Sequence, residues 1–411
     1  MIIPDYILNI INKIEESGYE AYIVGGCVRD YFLDKTPNDW DITTSALPED
    51  ILRLFAQLPT IPTGIRHGTV TVIADKIPVE ITTYRIDGEY TDNRRPESVT
   101  FSQNITDDLS RRDFTVNAMA FNPGLGLVDP FDGQGDISRG LLKCVGAPQK
   151  RFTEDALRIM RALRFSATLG FKTDIETKRA IFACIPLLKN IAAERITAEL
   201  VQLVTAKAPA PVLDEFTSVF AYILDFDATT KAAVWQKNIC CISRCPSNPA
   251  VRFAVLFDGL YDNFSSITTT LKKLKLDNQT QKTVTFLSNE LYTELPDGEI
   301  PLKKLLARTS SDLLILTAQA QLAKFPGKAL HLQKVISLIE KILDENQCIS
   351  LKQLDINGND LKKALGINGK NIGSTLNLLL DAVIEEKCQN TFDKLISYAK
   401  NEYACKPTHK K

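Results

Sequence analysis

The sequence predicts an α+β protein, a mixed α/β front third followed by an all-helical remainder. Strand-like apolar runs fall at Ala21 to Val24, Trp40 to Thr43, Gly68 to Ile73 and Val79 to Arg85, all in the front part of the chain. From about Arg151 onward, apolar residues recur at helical spacing almost without interruption. Two stretches behind that point look like punctuation, Pro246 to Pro249 and the Gly- and Asn-rich Asn357 to Gly373.

Taken in order, Ile7, Ile10, Ile11 and Ile14 repeat at i, i+3, i+4 and i+7, which predicts an amphipathic first helix that Gly18 ends. Helical patterns near Val28 to Leu33 and Pro48 to Leu58 interleave with the strands. Behind them come helices over Ala156 to Leu169, Thr177 to Leu188, Ile196 to Val204, Leu313 to Ala323 and Leu332 to Leu343, with a short one over Asp360 to Leu365. At 411 residues and 44% apolar content the chain exceeds one ordinary core, and two to four domains are expected.

No apolar run reaches the ~20 residues that span a bilayer. Nor does a basic region lead into an apolar signal segment at the amino terminus, so the expected compartment is the cytoplasm. Nine scattered cysteines fit reduced thiols, and the cluster Cys240, Cys241 and Cys245 lacks the second pair that zinc-ribbon spacing needs. A net charge of −1 gives no global sign of nucleic-acid binding. Locally, Lys143, Lys150, Arg151, Arg158, Arg161 and Arg164 make one cationic stretch suited to phosphate, although a solvated helix face has the same composition.

Four segments carry chemistry. Gly25 and Gly26 follow a strand and precede a helix, the setting in which backbone approaches a triphosphate and Arg29 reaches it by side chain; a plain tight turn uses the same glycines. Asp39 and Asp41 stand two apart on a strand and point the same way, while Trp40 and Ile42 face the opposite layer. Such aligned carboxylates suit Mg2+, which takes oxygen ligands and keeps several waters. Glu80, on a later strand, is a candidate third carboxylate. Residues 109–118 pack two arginines, an acid and an asparagine into one short span; Arg112 is read as a ligand for phosphate or sugar, with Asp113 and Asn117 organising the loop.

The fourth segment, 153–165, is expected as one helix capped at Thr153, with Asp155, Arg158, Arg161 and Arg164 at three-residue steps. Cytosine and adenine each offer an amino donor beside a ring-nitrogen acceptor. A carboxylate with a guanidinium, Asp155 with Arg158, complements that edge and opposes guanine and uracil. Between these segments, residues 85–101 are polar, broken by Gly88 and Pro96, and read as a mobile loop beside the site.

With these motifs assembled, the chain resembles, end to end, the class II CCA-adding tRNA nucleotidyltransferases of the bacterial type that lacks a phosphohydrolase domain. Residues 25–30 with Asp39 and Asp41 look like that family's metal and triphosphate motif, and 111–118 like its ribose-selecting motif. Residues 129–146 resemble its hinge, Glu154, Asp155 and Arg158 the segment that reads the incoming base without a template, and 193–200 the following neck motif. Residues 354–361 and 366–380 look like the tail that holds tRNA, whereas 206–340 match only in helical character.

The resemblance implies a polymerase-β-like nucleotidyltransferase head over 1–140, a helical neck over 141–205, a body over 206–340 and a tail over 341–411. It implies template-independent addition of CCA to tRNA from CTP and ATP, with pyrophosphate released. Asp39 and Asp41 would bind Mg2+, Gly26 and Arg29 the triphosphate, and Arg112 the donor nucleotide. Asp155 and Arg158 would read the base, with Arg161 and Arg164 close to phosphates. An enzyme adding only the terminal A shares these motifs, although the loop at 85–101 argues against a CC-adding partner. The strand at 63–72 looks like the tRNA enzymes' version rather than that of poly(A) polymerases, and retention of both aspartates argues against a non-catalytic RNA-binding relative. His67, His331 and His409 stand alone, without the clustered histidines and acids that a phosphohydrolase needs.

Overall fold

The structure is a computed structural model that describes residues 2–37, 39–88 and 98–404. Helix α1 (Asp5–Glu16) buries the isoleucine stripe that its periodicity predicts and packs on strand β1 (Ala21–Val24). Each fully buried isoleucine stabilises that contact by roughly 1.5–3 kcal/mol. Helix α2 (Gly26–Phe32), strand β2 (Asp41–Thr44) and helix α3 (Pro48–Leu54) follow. The last is a turn shorter than the apolar pattern suggests.

Strands β3 (Thr60–Gly64), β4 (Thr69–Ala74) and β5 (Ile77–Thr83) form an antiparallel meander. Its second turn is two residues, Asp75 and Lys76, both at positive φ, which matches the right-handed twist of a tight hairpin. Beyond it lie a small antiparallel pair, β6 (Arg85–Asp87) with β7 (Val99–Phe101), and helix α4 (Ile105–Ser110). The pair forms the base of the polar segment read as a loop; residues 89–97 of that segment lie outside the described residues.

Strands β8 (Ala120–Asn122) and β9 (Gly126–Val128) complete the sheet, whose order among the described residues is β3-β4-β5-β2-β1-β8-β9. All pairings are antiparallel except β2 with β5. In the centre, β1 is buried along its whole length, so its near-continuous apolar run has no polar face to show. The sequence pattern misses β3, β8 and β9, because three- to five-residue strands hold too few periods to stand out.

After helix α5 (Gly133–Arg139), the short strand β10 (Leu141–Leu142) pairs in parallel with β11 (Lys172–Thr173), bracketing α6 (Pro148–Glu154) and α7 (Leu157–Leu169). Helices α8 (Ile175–Cys184) and α9 (Ala193–Val204) pack on α6 and α7 respectively. The expected single helix through 153–165 is therefore two. Asp155 has an extended backbone at the joint, and Thr153 sits inside α6, donating to the Gln149 carbonyl rather than capping a helix. The joint is invisible to periodicity, since both halves share one apolar phase.

The remainder is helical, from Pro209 to the last described residues. The expected breaker at 357–373 contains the predicted short helix, Gly358–Leu365, but the next helix already begins at Lys370. Backbone contacts divide the chain into two compact units, 1–232 with 269–276, and 233–268 with 277–411. In the second unit, one core runs from Leu295 to Ile342 and another from Leu354 to Ala399. Among the described residues, no helix is long and apolar enough to cross a membrane.

Candidate active site

Every residue singled out by the sequence as chemical lies in the first unit. Strand β1 runs into Gly25, whose φ of 82° and ψ of −128° only glycine adopts without strain, and α2 starts at Gly26 with no side chain capping it. A β-carbon on Gly25 would stand 3.1 Å from Arg112 Nη1, so the absent side chain is what lets that guanidinium lie against the turn. One on Gly26 would come 3.6 Å from Arg29 Nη2.

Arg29 donates to Asp30 Oδ1 at 2.7 and 2.9 Å, and to Asn117 Oδ1 at 2.7 Å. Asn117 in turn donates to Asp113 at 3.4 Å. The loop-organising role foreseen for Asp113 and Asn117 is visible as geometry: the two side chains hold one another, and the turn Thr115–Asn117 is buried despite its polar sequence. Burial is tolerated because Thr115 Oγ1 donates to Asp136 at 2.7 Å.

Asp39 and Asp41 are exposed while Trp40 and Ile42 are buried, the alternation that the spacing requires, although the strand itself begins only at Asp41. On the neighbouring parallel strand Glu80 is in register with Asp41, also exposed. Although Asp41 is exposed at the start of its strand, protein crowded round its carboxyl displaces enough water to push it above the usual carboxylate range. Glu80 adds to that, Arg112 opposes it, and Asp39 adds a smaller push. Two residues on, and therefore on the same face, Thr43 Oγ1 donates to Asp108 Oδ2 at 3.2 Å.

Asp108 is fully buried and was not foreseen. Burial alone would raise its pKa, but Arg111 at 2.7 Å and Arg112 at 3.2 Å outweigh that and hold the carboxyl below its usual range. Its spacing of three and four residues from two arginines is the signal that could have found it. Arg112 Nε is buried with no hydrogen-bond partner in the structure.

Around α7 the carboxylates and guanidiniums are nearly all paired. Asp155 accepts from the Leu157 amide at 3.0 Å and from Arg195 at 3.2 Å. Arg158 binds Glu154 at 2.8 Å and donates to the Arg111 carbonyl at 2.9 Å, so the two residues expected to read a base are held by different partners. Arg161 pairs with Asp113 at 2.8 Å, and Arg164 pairs with Glu199 of α9. Asp113 is held below the carboxylate range, its burial outweighed by Arg161 and then Arg158. Glu199 and Arg195 fall in the 193–200 motif, to which the sequence assigned no individual roles.

A divalent cation fits this donor set by its chemistry: Asp39, Asp41 and Glu80 offer hard oxygen only, on and just before the adjacent interior strands β2 and β5. Among the described residues, no three His, Cys, Asp or Glu side chains stand close enough to hold an ion unaided. An Mg2+-type site that relies on one or two carboxylates plus water and phosphate does not need them to. The nearby Cys27 thiol is pushed up to about 11 by burial and is no nucleophile at neutral pH.

Three family models match the chain: the poly A polymerase head domain over residues 21–143, the probable RNA and SrmB-binding site of polymerase A over 170–218, and tRNA nucleotidyltransferase domain 2 over 252–399. The CCA-adding enzyme of Ligilactobacillus salivarius is 35% identical over 397 residues, 96% of this chain and 95% of that protein. The CCA-adding enzyme of Geobacillus kaustophilus is 48% identical over 219 residues, and the chain spans about half of that relative's length, 54%. Among solved structures, the Bacillus stearothermophilus CCA-adding enzyme in complex with CTP is similar at a TM-score of 0.80 and 28% identity, covering 98% of each chain. With a full-length relative above 30% identity and the same mixed head and helical remainder, the chain belongs to the CCA-adding tRNA nucleotidyltransferase family.

Proposed function

We propose that this chain completes the 3′ end of tRNA by adding CCA without a template, drawing on CTP and ATP and releasing pyrophosphate. The observation that carries the reading is that three sequence-distant segments are tied in one unit by two hydrogen bonds and one close approach. The Gly25 turn meets Arg112, Arg29 meets Asn117, and Arg158 of α7 meets the Arg111 carbonyl. A triphosphate at the turn and a base at the α6–α7 joint are thereby served by one connected framework. The CTP in the Bacillus stearothermophilus structure and the names of the relatives support this choice of substrates.

In this reading Asp39 and Asp41 hold Mg2+, with Glu80 beside them. When bound, such ions stabilise the attacking and leaving oxygens of an in-line displacement at phosphorus. Gly26 and Arg29 face the triphosphate, and Arg112, with its unsatisfied Nε, takes the donor nucleotide. Asp155 accepts from the amino group of cytosine or adenine while Arg158 donates to the adjacent ring nitrogen. Guanine and uracil reverse both polarities and leave buried groups unpaired, which discriminates steeply. Arg161 and Arg164 lie close to the nucleotide phosphates. The tRNA 3′-hydroxyl attacks the α-phosphorus, the bond to the β-phosphate oxygen breaks, and no covalent enzyme intermediate forms.

The division into head 1–140, neck 141–205, body 206–340 and tail 341–411 belongs to the same proposal. It is supported by a sheet that ends at Val128 and by separate apolar cores over 295–342 and 354–399. We place the work in the cytoplasm, where tRNA maturation and the reduced cysteines are both at home.

The test is incorporation, with Mg2+, into tRNA transcripts ending at the discriminator base, at C and at CC, with CTP and ATP supplied singly and together. Completion of CCA on the shortest transcript is expected. Addition of A to the CC-ended transcript alone would reassign the chain as an A-adding enzyme.

A further inference from the structure

Phe165 is buried in the third turn of α7, and three guanidiniums gather on its ring. Arg164 lies 3.9 Å from the centroid, Arg161 5.2 Å, and Arg29, from α2 in the sheet domain, 5.3 Å. Phe114, next to Asp113, meets the same ring edge-on at 5.8 Å. Like charges at such spacing repel, and the structure answers with Asp30 against Arg29, Asp113 against Arg161, and Glu199 against both Arg161 and Arg164. An ordinary core position would need only apolar volume. Here the π face is what the arginines use, since each is drawn to the negative face of the ring quadrupole.

The position of this ring matters because of what it joins. Arg29 comes from the glycine turn, and Arg161 and Arg164 come from the helix that begins at the base-reading joint. We propose that Phe165 is a positioning residue for the nucleotide: its ring is the shared platform that fixes Arg29 relative to α7, so that the triphosphate end and the base end of one nucleotide are held at a set separation. The proposal rests on the reading of these segments as the nucleotide site and adds to it a residue with no polar atom of its own.

The experiment replaces Phe165, in the full chain, with 4-fluoro-, 3,5-difluoro- and 3,4,5-trifluorophenylalanine. Shape is nearly constant across the series while the quadrupole is progressively drained. The expected result is a stepwise fall in kcat/KM for CTP and ATP alike, reaching about tenfold, as the loss of ring–guanidinium attraction implies. KM for tRNA and the thermal midpoint should stay near wild type. Phe165→Leu should lose at least as much as the trifluoro variant. A flat kcat/KM across the fluorinated series, or an effect confined to the tRNA KM, would overturn the proposal. If the unsubstituted chain incorporates no nucleotide, the proposed activity itself fails, and equilibrium ATP binding across the same series then decides the role of Phe165 separately, a fall supporting it and a flat response refuting it.

Discussion

Asp41 sits where three demands meet: it opens β2, it is in register with Glu80, and it feels Arg112. Replacing it by alanine removes one carboxylate from a repulsive group, so folding should not suffer. Asp41→Ala is expected to keep its far-UV circular dichroism and tRNA affinity while incorporation falls by about a hundredfold or more, the usual cost of losing one charge-stabilising group at a reacting centre. Normal incorporation would remove Asp41 from the metal site. At this scale the sequence was most legible where spacing alone sets direction. Asp39 and Asp41 outward with Trp40 and Ile42 inward follows from strand geometry. Asp108 was legible only as a neighbour of Arg111 and Arg112; its contact with Thr43, 65 residues away in the chain, left no local trace.

At the scale of elements, α5 and the turn Thr115–Asn117 are packed so closely that Gly133 cannot carry a side chain. A β-carbon there would stand 2.3 Å from the Thr115 carbonyl oxygen and 2.9 Å from Met119 Cγ, and the backbone atom cannot swing aside. Gly133→Ala should therefore cost about 1–3 kcal/mol, the range for overpacking. Because the displaced turn carries Asn117 and hence Arg29, nucleotide KM should rise as well. Thermal unfolding and nucleotide titration check the two effects, and an unchanged KM alongside a lowered Tm would cut the turn off from the site. The α6–α7 joint teaches the same lesson from the other side. The apolar phase runs through it unbroken, yet Asp155 leaves the helix, its carboxylate accepting from the Leu157 amide and from Arg195 of α9. The break coincides with a contact from a later helix.

For the whole molecule, the nearly neutral net charge conceals paired charges concentrated in the first unit. Asp108 and Asp113 both titrate below the ordinary carboxylate range, because neighbouring arginines outweigh their burial. A folded-state pKa below the unfolded value of about 3.9 means that the stabilisation is complete above that value. It declines as pH falls beneath it and is gone once the folded carboxyls themselves protonate. Stability should therefore hold from neutrality down to about pH 4 as far as these two groups are concerned, and then drop steeply. Asp108→Asn should flatten that acid limb, read by urea unfolding at successive pH values; an unaltered acid limb would show that Asp108 is not linked to it.

What the sequence by itself determined is whatever a short window can specify: the isoleucine stripe of α1, the outward pair of aspartates, the glycine turn, and a helical chain behind a mixed sheet. The motifs, read as a set, also carried the family. Tertiary structure alone decided the strand order that sets Glu80 beside Asp41, the break at Asp155, and the gathering of Arg29, Arg161 and Arg164 on Phe165. The physical reason is common to all three. Periodicity and local propensity act over a few residues, whereas ion pairs and ring contacts join partners tens to more than a hundred residues apart, and a single sequence carries no local trace of which distant partner will arrive.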